Sequence, residues 1–129
     1  MTKTELNNRI TEISTQCNED NWDSKGAVAI SDITIKHGYR FCNKLEKYEL
    51  IDDHLTIEPL EDDNLSFQWY FPETGCKFNI DFDKFTDSLN WCCFKDVNNH
   101  WNGNCSHLEE IVDYIKKVIS FHNNTTKGN

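Results

Sequence analysis

Residues 65–71, Leu65-Ser66-Phe67-Gln68-Trp69-Tyr70-Phe71, together with 78–83, Phe78-Asn79-Ile80-Asp81-Phe82-Asp83, decide the fold. In an extended chain successive side chains point to opposite faces, so Leu65, Phe67, Trp69 and Phe71 share one side while Ser66, Gln68 and Tyr70 share the other. Phe78, Ile80 and Phe82 alternate with Asn79, Asp81 and Asp83 in the same way. Pro72-Glu73-Thr74-Gly75 between the two runs supplies turn chemistry, and the whole reads as an antiparallel hairpin with one buried face. Leu89, Trp91 and Cys93 carry the alternation into a third strand.

Upstream of the hairpin the period changes. Leu6, Ile10 and Ile13 recur at helical spacing among polar residues, which predicts a short amphipathic helix. A polar stretch from Asn18 to Lys25, closed by Gly26, breaks it as a loop. Ser31 or Asp32 is placed to cap a second helix whose stripe runs through Ile35, Gly38 or Tyr39, Cys42 and Leu45. Leu55 to Pro59 reads as a short extended piece, with Pro59 confining it to an edge or ending it. Downstream, Asp96 to Asn104 reads as a loop. Ser106-His107-Leu108-Glu109 has the spacing of a capping box, so a closing helix is expected to start there. Leu108, Ile111, Val112, Ile115, Val118 and Ile119 give that helix an apolar face. The expected fold is therefore α+β, with two N-terminal helices, a three- or four-stranded antiparallel meander and a C-terminal helix packed on the sheet. One domain over 1–122 and a flexible tail over 123–129 complete the expectation.

A chain of 129 residues can bury about two-thirds of the surface its unfolded form exposes, enough for one core. Hydrophobic residues make up only 37%, but eight Phe and four Trp supply large buried areas. The 22 acidic and 13 basic residues leave a net charge of -9, a field that repels phosphate backbones and anionic lipids and favours encounter with a basic protein surface. Direct binding to nucleic acid or membrane is not expected. No run has the length of a membrane span and the N-terminal segment has no apolar stretch for export, so a cytoplasmic location with reduced thiols is expected for the six cysteines. The sequons at Asn64, Asn104 and Asn124 then read as products of an Asn-rich composition.

Three stretches also carry a likeness: Asn21-Trp22-Asp23-Ser24-Lys25-Gly26-Ala27, then Ile57-Glu58-Pro59, then Asp63-Asn64-Leu65-Ser66-Phe67-Gln68-Trp69. They resemble a family of small uncharacterised bacterial proteins with a WDGxGA-like loop before a helix, an I-x-P step and a dGxixlEW-like strand. Ser24, Asn64 and Gln68 depart from that pattern where Gly, Gly and Glu are usual. The resemblance implies the same order of elements and a bacterial or mobile-element origin; it carries no activity or catalytic residue to transfer.

Candidate contact residues follow from exposure and charge. Trp22 and Asp23 ahead of Gly26 form either a recognition loop or a lid held by turn chemistry. Glu61, Asp62 and Asp63, with Asp81 and Asp83 on the hairpin, are the carboxylates placed to meet a basic partner. Trp101 stands in a polar Asn-rich segment as a contact aromatic or a residue folded back on the sheet. Cys92, Cys93, His100, Cys105 and His107 are the ligand types zinc prefers, yet no C-x-x-C pair occurs and neighbours on a strand diverge, so no metal or cofactor is expected. There is no phosphate-binding Gly-rich loop, no Ser-centred elbow and no cysteine-hydrolase signature. The expected function is thus a small acidic non-enzymatic binding or inhibitor protein, of the kind phages and mobile elements direct against host machinery such as CRISPR complexes. The alternatives are a metal- or thiol-dependent enzyme using Cys92, His100, Cys105 or His107, or a self-associating protein, such as a homodimer paired through a strand edge or through Trp69 and Trp91.

Overall fold

The computed structural model describes residues 2–83, 88–96 and 99–127, and the side chains at 83, 96, 99 and 122–127 lie outside that description. The class is α+β. The elements are α1 (Lys3–Gln16), α2 (Asp32–Lys47), β1 (Leu55–Leu60), β2 (Asn64–Phe71), β3 (Cys76–Asp83), β4 (Ser88–Asp96), β5 (Asn99–Cys105), a 3-10 turn (Leu108–Glu110) and α3 (Val112–Lys127). The five strands follow one another across one sheet in chain order. The chain divides into two compact units, Met1–Gln68 and Trp69–Asn129, and the boundary falls inside β2.

In the first unit, the start of α1 is set by a capping box. Thr2 Oγ1 accepts from the Glu5 amide while a Glu5 carboxylate oxygen accepts from the Thr2 amide, both at 3.2 Å, which satisfies two donors that helical bonding leaves over. Leu6, Ile10 and Ile13 are fully buried, as the helical spacing requires. Ser31 caps α2 by accepting from the Thr34 amide, and Ile35, Phe41, Cys42 and Leu45 form its buried stripe. At Gly38 α2 passes close to its neighbours: a Cβ there would lie 2.8 Å from Leu65 Cδ1 and 3.3 Å from Ile10 Cδ1. Phe41 meets Phe67 of β2 edge-on, with centroids 4.7 Å apart. Arg9 anchors α1 to β1 by donating to the Ile57 carbonyl at 3.1 Å and pairing with Glu58 at 3.3 Å.

The second unit is organised by register. Antiparallel pairing sets Phe78 opposite Cys93 and Ile80 opposite Trp91 between β3 and β4, and Trp91 opposite Gly103 and Cys93 opposite Trp101 between β4 and β5. Alternation then gives one face to Phe78, Ile80, Leu89, Trp91, Cys93 and Cys105. Phe78 stacks on Trp91 with centroids 6.0 Å apart, and Tyr114 of α3 lies 5.8 Å from Phe78 and 5.3 Å from Trp91. Trp69 joins them at 5.8 Å from Phe78. Each such aromatic contact adds about 0.5–1.5 kcal/mol beyond simple burial. The Trp91 ring lies across Gly103, where a Cβ would come within 2.7 Å of Cζ2.

Two local expectations are corrected. Asn99–Cys105 is a strand, β5, and not a loop. The capping-box spacing at Ser106 is not used: one Glu110 oxygen accepts from the Ser106 amide at 2.7 Å and the His107 amide at 3.0 Å, and Leu108–Glu110 is a 3-10 turn ahead of α3. Helical backbone runs to Lys127.

Because a Trp ring fills the space beside Gly103, Gly103→Ala is expected to destabilise the protein by about 1–3 kcal/mol through overpacking, although alanine ordinarily suits a strand better than glycine. A urea unfolding midpoint equal to or above wild type would contradict this placement of Trp91.

Candidate functional site

Two surfaces come into question, one in each unit. In the first, the loop after α1 is tied by its own acidic and amide side chains. Asp23 Oδ1 accepts from the amides of Lys25 at 2.8 Å and Ala27 at 3.0 Å, Asn21 Oδ1 from Gly26 at 2.7 Å, and Asp20 Oδ1 from Ala29 at 2.9 Å. Asn21, Ser24 and Gly26 have φ of 65°, 62° and 89°, conformations that Gly and Asn tolerate best. The Lys25 amide above all, and then that of Ala27, holds the Asp23 carboxyl below its ordinary range against a desolvation that opposes it. A lowered folded-state value means that these ties favour the native loop at neutral pH and are lost as pH falls through it. Trp22 is half-buried and its Nε1 donates to the Val28 carbonyl at 2.8 Å. Trp22 and Asp23 both hold backbone of this loop through their side chains.

Val28 brings that loop to the β1–β2 turn. Its amide donates to the Glu61 carbonyl at 2.8 Å and it forms a parallel bridge with Asp62. Asp63, at φ 60°, accepts from the Ser31 amide through Oδ1 at 2.7 Å, and its carbonyl accepts from Thr34 Oγ1 at 3.2 Å. Asp63 therefore ties the turn to the N-terminus of α2. Glu61 and Asp62 are exposed, and beside them Val28 and Ile33 are 51% and 67% exposed. Five expected residues, Trp22, Asp23, Glu61, Asp62 and Asp63, thus fall in one neighbourhood.

In the second unit, the register that places Phe78 and Trp91 on the packed face turns the alternate residues of three strands outward. Lys77, Phe94 and His100 form one row across β3, β4 and β5; Asn79, Cys92 and Asn102 form the next; Asp81, Asn90 and Asn104 form the third. Asp81 is only part-buried on this face, and the side chain of Asp83 lies outside the described residues. Phe94 and His100 have ring centroids 6.2 Å apart. A hollow of about 330 Å³ opens among Asn79, Asp81, Asn90, Cys92 and Asn102, with Trp91 and Gly103 contributing to its floor. Trp101 belongs to the opposite face, opposite Cys93, and is 54% exposed. The register separates it from Asp81. Of the pair expected for self-association, Trp69 is fully buried, while Trp91 is part-buried and packed against Phe78 and Tyr114.

Cys17, Cys42, Cys76, Cys93 and Cys105 are buried, and Cys92 is part-buried. Burial pushes Cys42 and Cys76 up to about 12, Cys76 being raised further by the neighbouring Cys93. Burial likewise raises Tyr114, which hydrogen-bonds Cys93, to about 12. Cys92 and Cys105 are also raised, in both cases first by burial. Cys92 faces outward with His100, while Cys105 faces the core. Among the described residues, no group of three His, Cys, Asp or Glu is arranged to hold a metal ion, and no helix is long and apolar enough to cross a membrane.

Compared with family models, with curated proteins and with solved structures, the chain matches none.

Two outcomes follow. Asp63→Ala removes a charged acceptor and puts a Cβ without local hydrogen bonding at positive φ, so a loss of about 2–4 kcal/mol is expected. Asp63→Gly relieves the backbone and should lose less. Equal denaturation midpoints for Asp63→Ala and wild type would contradict the tie to Ser31. For the thiols, a native value above the unfolded value means stability falls as pH rises past about 9, where unfolded thiols ionise first. Native protein at about pH 8 should react with a disulfide reagent far more slowly at Cys42 and Cys76 than unfolded protein does; equal rates would show that these thiols are not held neutral.

Proposed function

We propose that the protein is a non-catalytic binding protein that docks on a basic protein surface through the acidic end of its first unit. The observation that carries this reading is the turn pinned by Asp63, which holds exposed Glu61 and Asp62 beside exposed Val28 and Ile33. An apolar centre with a charged rim is the general anatomy of a protein interface, and rim charge of one sign speeds encounter with a partner of the other. The net charge of -9 acts in the same direction at longer range. Thiols pushed above their ordinary range weigh against cysteine nucleophiles. The reading extends to an inhibitor of the kind phages and mobile elements encode, acting on host machinery such as a CRISPR complex. Its acidity and the likeness of Trp22–Ala27 to a loop of small bacterial proteins support that extension.

Charge reversal tests it, and the variant must spare Asp63, whose carboxylate holds the turn. Tagged wild type incubated with bacterial lysate at low salt should recover a basic protein, identified by mass spectrometry, that Glu61→Lys with Asp62→Lys fails to recover at an unchanged melting temperature. Recovery of the same partner by the double variant, or recovery of no basic protein by wild type, would defeat the reading.

A further inference from the structure

The outward face of β3, β4 and β5 is built from residues that strands disfavour. Asn and Asp are depleted in strands because their short polar side chains compete for backbone hydrogen bonds. Yet Asn79, Asp81, Asn90, Asn102 and Asn104 stand together there. A solvated sheet face needs only polar residues, and Thr, Lys or Glu would serve without the cost of repeated Asn. Local preference yielding to a global arrangement is what a functional site produces. Among the described residues, the carboxamides of Asn79, Asn90 and Asn102 make no side-chain hydrogen bond, whereas that of Asn104 donates to Ser88 Oγ at 3.0 Å.

We propose that this face binds a neutral saccharide in the hollow between Asn79, Asp81, Asn90 and Asn102, with the Phe94–His100 pair at its end as a stacking platform. Each carboxamide offers a donor and an acceptor, and a sugar hydroxyl is both as well. The groups are spaced by the sheet itself, about 4.8 Å between strands and about 6.8 Å between alternate residues along one. Hydroxyls on alternate carbons of a pyranose ring stand at a separation comparable to the spacing between strands. The hollow of about 330 Å³ lies at the lower end of the ligand-pocket range, about 300–1,000 Å³, which suits one or two sugar rings. Exposed Phe94, 42% accessible, offers an apolar ring face to the C–H side of a sugar.

Charge chooses among the other polar ligands. Lys77 and Asp81 balance one another on this face, and the acidic chain disfavours a phosphate backbone. An extended peptide joins a sheet at its edge and not on its face. The proposal does not depend on the function assigned to Glu61 and Asp62.

Titration of the full-length 15N-labelled protein with cellotetraose, maltotetraose, mannotetraose and chitotetraose, followed by NMR, tests the proposal. At least one should shift the side-chain amide signals of Asn79, Asn90 and Asn102 saturably at millimolar or lower concentration. Asn90→Thr and Asn102→Thr, which raise strand propensity, should weaken that binding by about tenfold or more and leave the melting temperature equal or higher. The proposal is overturned by any of four results: no saccharide gives a saturable shift; the variants bind as wild type does; both variants melt lower, which would make the carboxamides structural; or a single-stranded RNA oligomer or a basic peptide shifts these signals while no saccharide does.

Discussion

The register of β4 between β3 and β5 is the constraint on which the second unit depends. Pairing Ile80 with Trp91 and Trp91 with Gly103 decides, for every residue of three strands, which face it occupies. A slip of one position would expose Phe78 and Trp91 and bury the Asn residues. Two devices fix the register. The Trp91 ring lies across the only residue type that leaves room for it, Gly103, and Tyr114 of α3 closes on both Trp91 and Phe78. The unfavourable strand propensity of Asn90, Asn102 and Asn104 is thereby offset by aromatic burial on the other side of the same strands.

The first unit achieves the same separation of roles with side-chain ties. Asp20, Asn21 and Asp23 stitch the loop after α1, while Asp63 fastens the β1–β2 turn to the cap of α2. What remains outward in that neighbourhood, Glu61, Asp62, Val28 and Ile33, is therefore displayed on anchored backbone. Acidic residues here do two different things, and only the hydrogen bonds distinguish Asp63, which holds the fold, from Glu61, which faces solvent.

Much of the fold is legible in the sequence because burial writes a period into it. Leu6, Ile10 and Ile13 announce α1, and the alternation through Phe67, Trp69, Phe78 and Ile80 announces β2 and β3. β5 is hidden because Asn99-His100-Trp101-Asn102-Gly103-Asn104 has no apolar alternation and little strand propensity; it is a strand because β4 supplies its partners. The capping box misleads for a related reason. The same spacing occurs at Thr2–Glu5, where it is used, and at Ser106–Glu109, where Glu110 takes the amides instead. Local motifs state what is possible, and tertiary packing selects. The outward grid could not be read at all without β5, since its third column comes from that strand. The meeting of Trp22 with the 61–63 turn is equally silent in sequence, because it runs through backbone bonds of Val28 that any residue could make.

Separation of an aromatic core face from an amide-lined outer face is the central claim, and it stands or falls with register. Nuclear Overhauser contacts of the Trp91 indole in the full-length protein measure it directly. The account predicts strong contacts from the indole protons to the Gly103 α-protons and to the Tyr114 and Phe78 rings, with none to the carboxamides of Asn102 or Asn104. Contacts from the indole to those carboxamides, with none to Tyr114, would place Trp91 on the outer face and contradict the account.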